Sequence, residues 1–135
     1  MPRRRKMGLV HADLTLRGPG GEVKLTRILV DTGSSYTWVP ETLARRLGAR
    51  EREIIPLELA DGSVVHRMLA EIEVEILHRR GTRFIVFGHE KDSTLIGVDT
   101  LEGLRLEIDP VRHRLRLAAT ALAVSSRPGP EPAPA

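Results

Sequence analysis

The residues best suited to chemistry stand together in one short stretch, Asp31-Thr32-Gly33-Ser34. Three large apolar residues, Ile28 to Val30, precede Asp31 and indicate a strand that delivers one carboxyl group into a turn of small, hydroxyl-bearing residues. An acid at the end of an apolar strand is expected to be partly desolvated, and such a carboxyl group can donate or accept a proton in catalysis. We therefore take Asp31 as the centre of the candidate site.

Other aspartates compete with Asp31 for this role, and each has a simpler explanation. Asp99 lies in Val98-Asp99-Thr100, which echoes the stretch around Asp31, but a leucine follows where the turn would need Gly. We expect Asp99 to cap a helix. Asp61 precedes a glycine and Asp109 precedes a proline, and both are typical of turns. The chain thus supplies one candidate acid.

The histidines and the absence of cysteine argue against a metal site or a disulfide. The five histidines show no spacing typical of metal ligands, and the chain has no cysteine. We expect no metal and no cofactor. The histidines should occupy separate surface or hairpin positions: His11, His66, His78, His89 and His113.

Alternation of apolar and polar residues dominates the chain and predicts a mostly β fold. A first hairpin turns at Gly18 to Gly21, and its second strand ends at the candidate acid. Trp38 is expected in the core, whereas Tyr36 could either pack or line a cleft. One helix of about two turns is predicted, with Pro40 at its first position and Gly48 as its C-terminal cap.

A second hairpin is the clearest turn in the sequence. Strands predicted over 55–59 and 64–69 flank Asp61-Gly62, and Gly tolerates the positive φ that tight turns require. The chain continues into a strand at 71–76 with one acidic and one apolar face. We expect the next turn at Arg79-Arg80-Gly81.

The rest of the chain predicts a short buried strand, a hairpin and two terminal segments. Ser93 to Gly97 is typical of a buried strand, and residues 104–117 alternate about a turn. We predict a basic N-terminal arm over 1–8, one folded domain over 9–123 and a Pro-rich disordered tail over 124–135.

Charge and composition favour a soluble, cytoplasmic protein. The 135 residues carry a net charge of +3, but basic residues are dispersed among 18 acidic ones. Only one Trp, one Tyr and two Phe could stack on bases, and the dense cluster Arg3 to Lys6 lies near a terminus. No apolar run is typical of a signal peptide or a membrane span. We expect neither nucleic acid nor a membrane as a partner.

In this context the chain resembles the single-lobed, retropepsin-like aspartic proteases. The motif that begins at Asp31 follows an apolar strand, a glycine-tipped hairpin comes later, and Leu95-Ile96-Gly97 follows it. The stretch up to Pro40 is similar to pepsin, but the two-lobed pepsins are more than twice this length. The resemblance covers about residues 9 to 117. It implies an all-β fold: a closed acid-protease-like barrel with one or two short helices and one lobe per chain, paired as a two-fold homodimer.

The resemblance also implies a role for each residue of the motif. Asp31 matches the catalytic aspartate. Thr32 matches the residue whose hydroxyl bonds across the two-fold axis, and Gly33 the residue that lets the loop backbone approach closely. Ser34 matches the hydroxyl that bonds the catalytic carboxylate from outside.

The second hairpin matches the flap that closes over substrate. It has one glycine where viral flaps have several, and it lacks the flap tyrosine of pepsins. The apolar stretch before the predicted second helix matches the strand beneath the catalytic loop. The resemblance thus implies these flap and cleft residues: Ala60, Asp61, Gly62, Ser63, Val64, Leu95, Ile96 and Gly97.

The chemistry of this family needs two aspartates in one site, and the chain supplies one. We therefore expect a homodimer with Asp31 from each subunit, acting as an aspartic endopeptidase on extended peptide or protein substrates. A non-catalytic dimerisation or peptide-binding module is the alternative, because a fold does not determine a function. A basic β-barrel that binds nucleic acid is a third interpretation.

Overall fold

The computed structural model describes residues 9–120. The predicted arm at 1–8, residues 121–123 and the predicted tail at 124–135 lie outside the described residues. The described part is mostly β with two short helices, as predicted. Its elements are β1 His11–Gly18, β2 Gly21–Val30, β3 Thr37–Pro40, α1 Glu41–Leu47, β4 Arg50–Glu58, β5 Val64–Ile76, β6 Arg79–Gly88, β7 Leu95–Ile96, α2 Val98–Gly103, β8 Leu106–Asp109 and β9 Arg114–Leu117.

Seven of the strands form one sheet in the order β1-β2-β7-β3-β6-β5-β4. An additional pairing of β1 with β5 closes six of them into a ring, and β4 lies outside that ring. Strands β8 and β9 form a separate hairpin. Neither helix in residues 9–120 has the length and apolar character needed to cross a membrane.

The apolar face of the alternating strands forms the main core. Along β5, Ile72, Val74 and Ile76 are at most 4% exposed, which confirms the predicted apolar face. The acidic face lies toward solvent, where Glu73 and Glu75 pair with the guanidinium of Arg17. Burying each large aliphatic side chain contributes about 1.5–3 kcal/mol relative to exposure, so this alternation determines which face of the ring points inward.

Helix α1 ends as the sequence predicts but begins one residue later. Gly48 has φ 85° and caps the C-terminus in the left-handed region, where Gly pays no steric penalty. Pro40 has extended backbone angles and precedes the first helical residue, Glu41. The helix packs Ala44 and Leu47 against the core.

The turn between β5 and β6 differs from the prediction. It consists of Leu77 and His78, with φ 51° and 68°, and register pairs Ile76 with Arg79. The expected turn at Arg79-Arg80-Gly81 is therefore part of β6. Two-residue turns with positive φ usually contain Asn, Asp or Gly. Neither residue of this turn belongs to that group, so local sequence did not reveal it.

Candidate active site

Asp31 lies at the point where β2 leaves the sheet. β2 runs parallel to β7, with Val30 opposite Ile96, and the Asp31 amide donates to the Ile96 carbonyl oxygen at 2.9 Å. Val30 is only 8% exposed, whereas the Asp31 side chain is half-buried. The strand therefore delivers Asp31 to the surface at the start of the loop, as the sequence predicts.

The loop after Asp31 is folded around the carboxyl group itself. Asp31 Oδ1 accepts a hydrogen bond from the Gly33 amide at 2.9 Å, and the Asp31 carbonyl oxygen accepts from the Ser34 amide at 3.1 Å. This is an Asx-type turn, in which a short acidic side chain replaces a backbone acceptor. The turn holds Oδ1 in place through the Gly33 amide. The other carboxylate oxygen, Oδ2, takes no part in the turn.

Ser34 differs from the expectation drawn from the family. Its hydroxyl donates to the Tyr36 carbonyl oxygen at 2.8 Å. A serine hydroxyl has one hydrogen to donate, so in this arrangement it cannot also donate to the Asp31 carboxylate. Within the single chain Ser34 therefore stabilises the loop backbone.

Gly97 allows the Asp31 loop to pass directly over the end of β7. A β-carbon on Gly97 would lie 2.3 Å from the Tyr36 carbonyl oxygen and 2.8 Å from that of Ser34. The next amide, that of Val98, donates to the Ser34 carbonyl oxygen at 2.8 Å. The loop is thus supported along its length by the backbone that follows β7.

A buried pair of threonines stabilises the region where the Asp31 loop packs against the end of β7. Thr37 and Thr100 are fully buried, and their hydroxyl oxygens lie 2.6 Å apart. Thr37 Oγ1 also accepts from the Gly97 amide at 3.0 Å. Buried polar groups are costly unless they are hydrogen-bonded, so this network ties β3, β7 and α2 together specifically. The sequence analysis missed both residues, because isolated threonines carry no distinctive local pattern.

Asp99 is an ion-pair partner rather than the predicted helix cap. Helix α2 has Gly97 at its N-cap position, and Asp99 lies in the first turn. Its two carboxylate oxygens accept from Arg83, at 2.6 Å from Nη2 and 3.1 Å from Nε. Both carboxylate oxygens of Asp99 are therefore engaged in a bidentate ion pair with Arg83. Asp99, which lies in the stretch most similar to the Asp31 motif, therefore has a structural role within the chain.

The predicted flap is the long hairpin of β4 and β5. Asp61 Oδ1 accepts from the Ser63 amide at 2.9 Å and from the Ser63 hydroxyl at 2.6 Å. These hydrogen bonds, that of the hydroxyl first, hold the pKa of Asp61 below its ordinary value. Gly62 has φ 89°, as a tight turn requires. Asp61 is therefore a turn residue, as expected, and its side chain stabilises the turn at the tip.

A cleft of about 430 Å³ separates the Asp31 loop from the base of the flap. Its residues come from three stretches that are distant along the chain, 31–38, 58–60 and 95: Asp31, Gly33, Ser34, Trp38, Glu58, Leu59, Ala60 and Leu95. Of the predicted site residues, the structure thus brings together Asp31, Gly33, Ser34, Ala60 and Leu95.

The remaining predicted residues lie around this cleft rather than on its lining. Thr32 is exposed beside a second cavity of about 340 Å³ that extends along α2. Ile96 is fully buried and Gly97 supports the loop. The stretch from Asp61 to Val64 forms the tip of the flap. β7 itself is shorter than the predicted strand, at two residues.

Beneath the flap lies an apolar cluster that is separate from the main core. Trp38, Leu69 and Val86 are its buried members. Leu59 and Leu95 are among the partly buried residues that pack against it, and both also line the cleft. The cleft therefore has an apolar floor. The sequence analysis expected Trp38 only in the core, and it missed Glu58 and Leu59, which the alternation before Ala60 could have indicated.

Tyr36 belongs to the same apolar cluster. Its ring meets that of Phe84 edge to face, with centroids 6.4 Å apart. Tyr36 also borders the second cavity. Of the two roles that the sequence left open, packing is therefore the one that the described contacts support.

Comparison with known proteins points to one family. A family model described as gag-polyprotein putative aspartyl protease matches residues 21–103. The matched segment runs from β2 to the end of α2, so it contains the Asp31 loop, the flap and β7. No curated protein was found to match. Among residues 9–120, no group of three or more His, Cys, Asp or Glu is arranged to hold a metal ion.

Proposed function

The chain belongs to the gag-polyprotein aspartyl protease family, and on that premise we propose that it is an aspartic endopeptidase that acts as a homodimer. The observation that carries the proposal is the position of Asp31. Its carboxyl group lies at the wall of a cleft whose opposite wall is the base of the flap. This is where a peptide bond would have to lie for a carboxyl group to act on it.

Asp31 is the one aspartate on the lining of the cleft, and this supports a dimeric site. Asp99 is paired with Arg83, and Asp61 is bonded within the flap tip, so each has another role. Thr32 and Gly33 are exposed at the edge of the loop. A two-fold axis beside this loop would bring the Asp31 carboxyl groups of two subunits together, with Thr32 from each at the contact.

The mechanism follows from the electrostatics of two adjacent carboxyl groups. Like charges at close range cannot both form cheaply, so the pair holds one proton, as is known for aspartic proteases. The ionised member takes a proton from water, whose oxygen attacks the carbonyl carbon, while the protonated member donates to the carbonyl oxygen. The carbon–nitrogen bond then breaks: the leaving amine takes a proton from one member of the pair, and a hydroxyl of the tetrahedral intermediate returns its proton to the other member, so that the pair again holds one proton. The Asp31 turn would keep the carboxyl groups oriented throughout.

The substrate is an extended segment of peptide or protein. It would lie between the paired catalytic loops and the two flaps, where backbone hydrogen bonds resemble those of an added strand. Side chains would enter the apolar floor formed with Trp38 and Leu95. The hydrogen bonds within the flap tip would limit the conformational entropy lost when the flap closes.

Replacing Asp31 by Asn tests the proposal. Asn retains the side-chain oxygen that accepts from the Gly33 amide, so the loop should fold, but it cannot share a proton as a carboxylate does. We expect the purified protein to cleave members of a peptide library between about pH 3 and 7, and D31N to lose at least about a hundredfold in rate. Thermal unfolding and solution mass serve as folding controls.

Two outcomes would contradict this function. Folded wild-type protein that cleaves no library member would favour the non-catalytic peptide-binding module. Cleavage that persists unchanged in D31N would assign the activity to other residues or to a contaminant.

A further inference from the structure

The cleft beside Asp31 contains a second acid, and we propose that this residue, Glu58, selects substrates with an Arg or Lys side chain near the scissile bond. This inference rests on the proposed protease function and adds a substrate class to it. Glu58 ends β4 and lines the cleft with Asp31. It lies just before the flap turn, on the hairpin that would close over substrate in the proposed mechanism.

The charges around the cleft are unbalanced. Asp31 and Glu58 are the ionisable residues of its lining, and no Lys, Arg or His belongs to that lining. Elsewhere on β4, Glu51 is paired with Arg45. Within the described part of the chain, Glu58 has no basic side chain at ion-pair distance. A cation supplied by the substrate would therefore meet a carboxylate that has no competing partner.

The shape and polarity of the cleft favour a long basic side chain. Trp38, Leu59 and Leu95 provide an apolar wall, and Glu58 is exposed at the rim. Arg and Lys bury their aliphatic stems against such surfaces while the charged head stays near solvent. An acidic substrate side chain would meet two like charges. A purely aliphatic one could use the wall but would gain nothing from Glu58.

Because the proposed dimer has two-fold symmetry, the preference for a basic side chain should apply on both sides of the scissile bond. Each subunit contributes its own half of the cleft and its own Glu58. Basic side chains should therefore be favoured on both sides of the scissile bond, at positions reached by the two copies. Because the flap carries Glu58, an ion pair with the substrate also favours the closed position of that flap.

A matched pair of peptides tests the proposal directly. One contains Arg at a chosen position, and the other contains citrulline, which has nearly the same shape without the charge. The pair is placed in turn at each position around a bond that the wild-type protein cleaves. We expect kcat/KM to favour Arg by about three- to fivefold at the position that Glu58 reaches, as for partly exposed ion pairs. High salt should reduce this ratio.

Substitutions assign the preference to Glu58. In E58Q the ratio should fall to about one, and in E58K a peptide with Glu should be favoured over its Gln counterpart. The matched control is E53Q, which removes an exposed acid from the same strand outside the cleft. It should leave the ratio at the wild-type value. A ratio of two substrates on one preparation is unaffected by partial unfolding.

The possible failures are distinguishable. If the wild-type protein cleaves neither peptide, the proposed function fails. If it cleaves both and E58Q keeps the wild-type ratio, the inference about Glu58 is overturned while the protease remains. Equal loss of the ratio in E53Q would show a general effect of net charge and would also overturn the inference.

Discussion

Asp31 depends for its position on residues that are distant along the chain. Its amide donates to Ile96, and the loop that follows it passes over Gly97. The carboxyl group is thus placed by strand pairing and by close backbone packing as well as by the hydrogen bond from the neighbouring Gly33 amide. A small change in that packing should displace the carboxyl group, and a displacement of about 1 Å can cost a hundredfold in rate.

Replacing Gly97 by Ala should damage both stability and activity. The new β-carbon would overlap the Tyr36 carbonyl oxygen, so the loop must shift. We expect about 1–3 kcal/mol lower free energy of unfolding and more than about tenfold lower kcat/KM. Denaturant unfolding and peptide hydrolysis measure these quantities.

Gly81 provides the matched control for this substitution. A β-carbon there would be 3.7 Å from the nearest atom, a methyl of Leu104, which is ordinary contact. G81A should stay within about 0.5 kcal/mol of the wild type. If G97A were equally harmless, the close approach at Gly97 would not constrain the loop.

At the scale of elements, an ion pair joins the flap strand β5 to the loop between β6 and β7. Arg67 Nε donates to Asp92 Oδ2 at 2.8 Å, and the two side chains are only 13% and 16% exposed. The same Asp92 oxygen accepts from the His89 amide at 2.7 Å. Because that loop leads directly into Leu95, the pair links the flap to the floor of the cleft.

This link should weaken in acid. The hydrogen bond from Arg67, with help from the His89 amide, holds the pKa of Asp92 below its ordinary value. Its stabilisation is therefore fully present above about pH 4, the unfolded value, and is lost as pH falls through the lower folded pKa. We expect D92N to lower the free energy of unfolding at pH 7 by about 1–3 kcal/mol. The difference from the wild type should shrink toward pH 3.

A double-mutant cycle isolates the pair from the other carboxyl groups. The free energy of unfolding is measured for the wild type, R67Q, D92N and the double variant at pH 7 and again near pH 3. The coupling energies at the two pH values are then compared. A coupling energy that is the same at both pH values would contradict the assignment to the ionised Asp92 carboxylate.

At the scale of the whole molecule, the ring of strands leaves the Asp31 loop at its surface. Thr32 and Gly33 are exposed there, and the adjoining cavity extends along α2 toward Glu102. A catalytic loop that completes its site with a second subunit needs this exposure. The dimer is thus the part of the proposal that activity measurements can test most directly.

Mixing subunits should reveal whether the site is shared. If each site needs Asp31 from both subunits, adding an equal amount of D31N at concentrations that favour the dimer should lower the activity per wild-type chain to about half. The fall reflects random pairing into heterodimers with one acid. Unchanged activity after full subunit exchange would indicate that one chain carries a complete site.

Local patterns in the sequence predicted much of the fold. Alternation along β5 identified Ile72, Val74 and Ile76 as core residues, and Asp61-Gly62 located the flap turn. Gly48 correctly marked the end of α1. These predictions succeed because strand periodicity, turn geometry and helix capping act between residues close in sequence. The same patterns missed the Leu77-His78 turn, whose residues carry no typical turn signal.

By itself, the sequence determined that one acid follows an apolar strand and that a glycine-tipped hairpin comes later in the chain. Only the tertiary structure decided what surrounds that acid. The insertion of β7 between β2 and β3 places Gly97 under the loop, the Arg83 pair occupies Asp99, and the fold of the flap carries Glu58 into the cleft. These contacts join residues far apart along the chain, and their energies depend on distance and burial that no local pattern encodes.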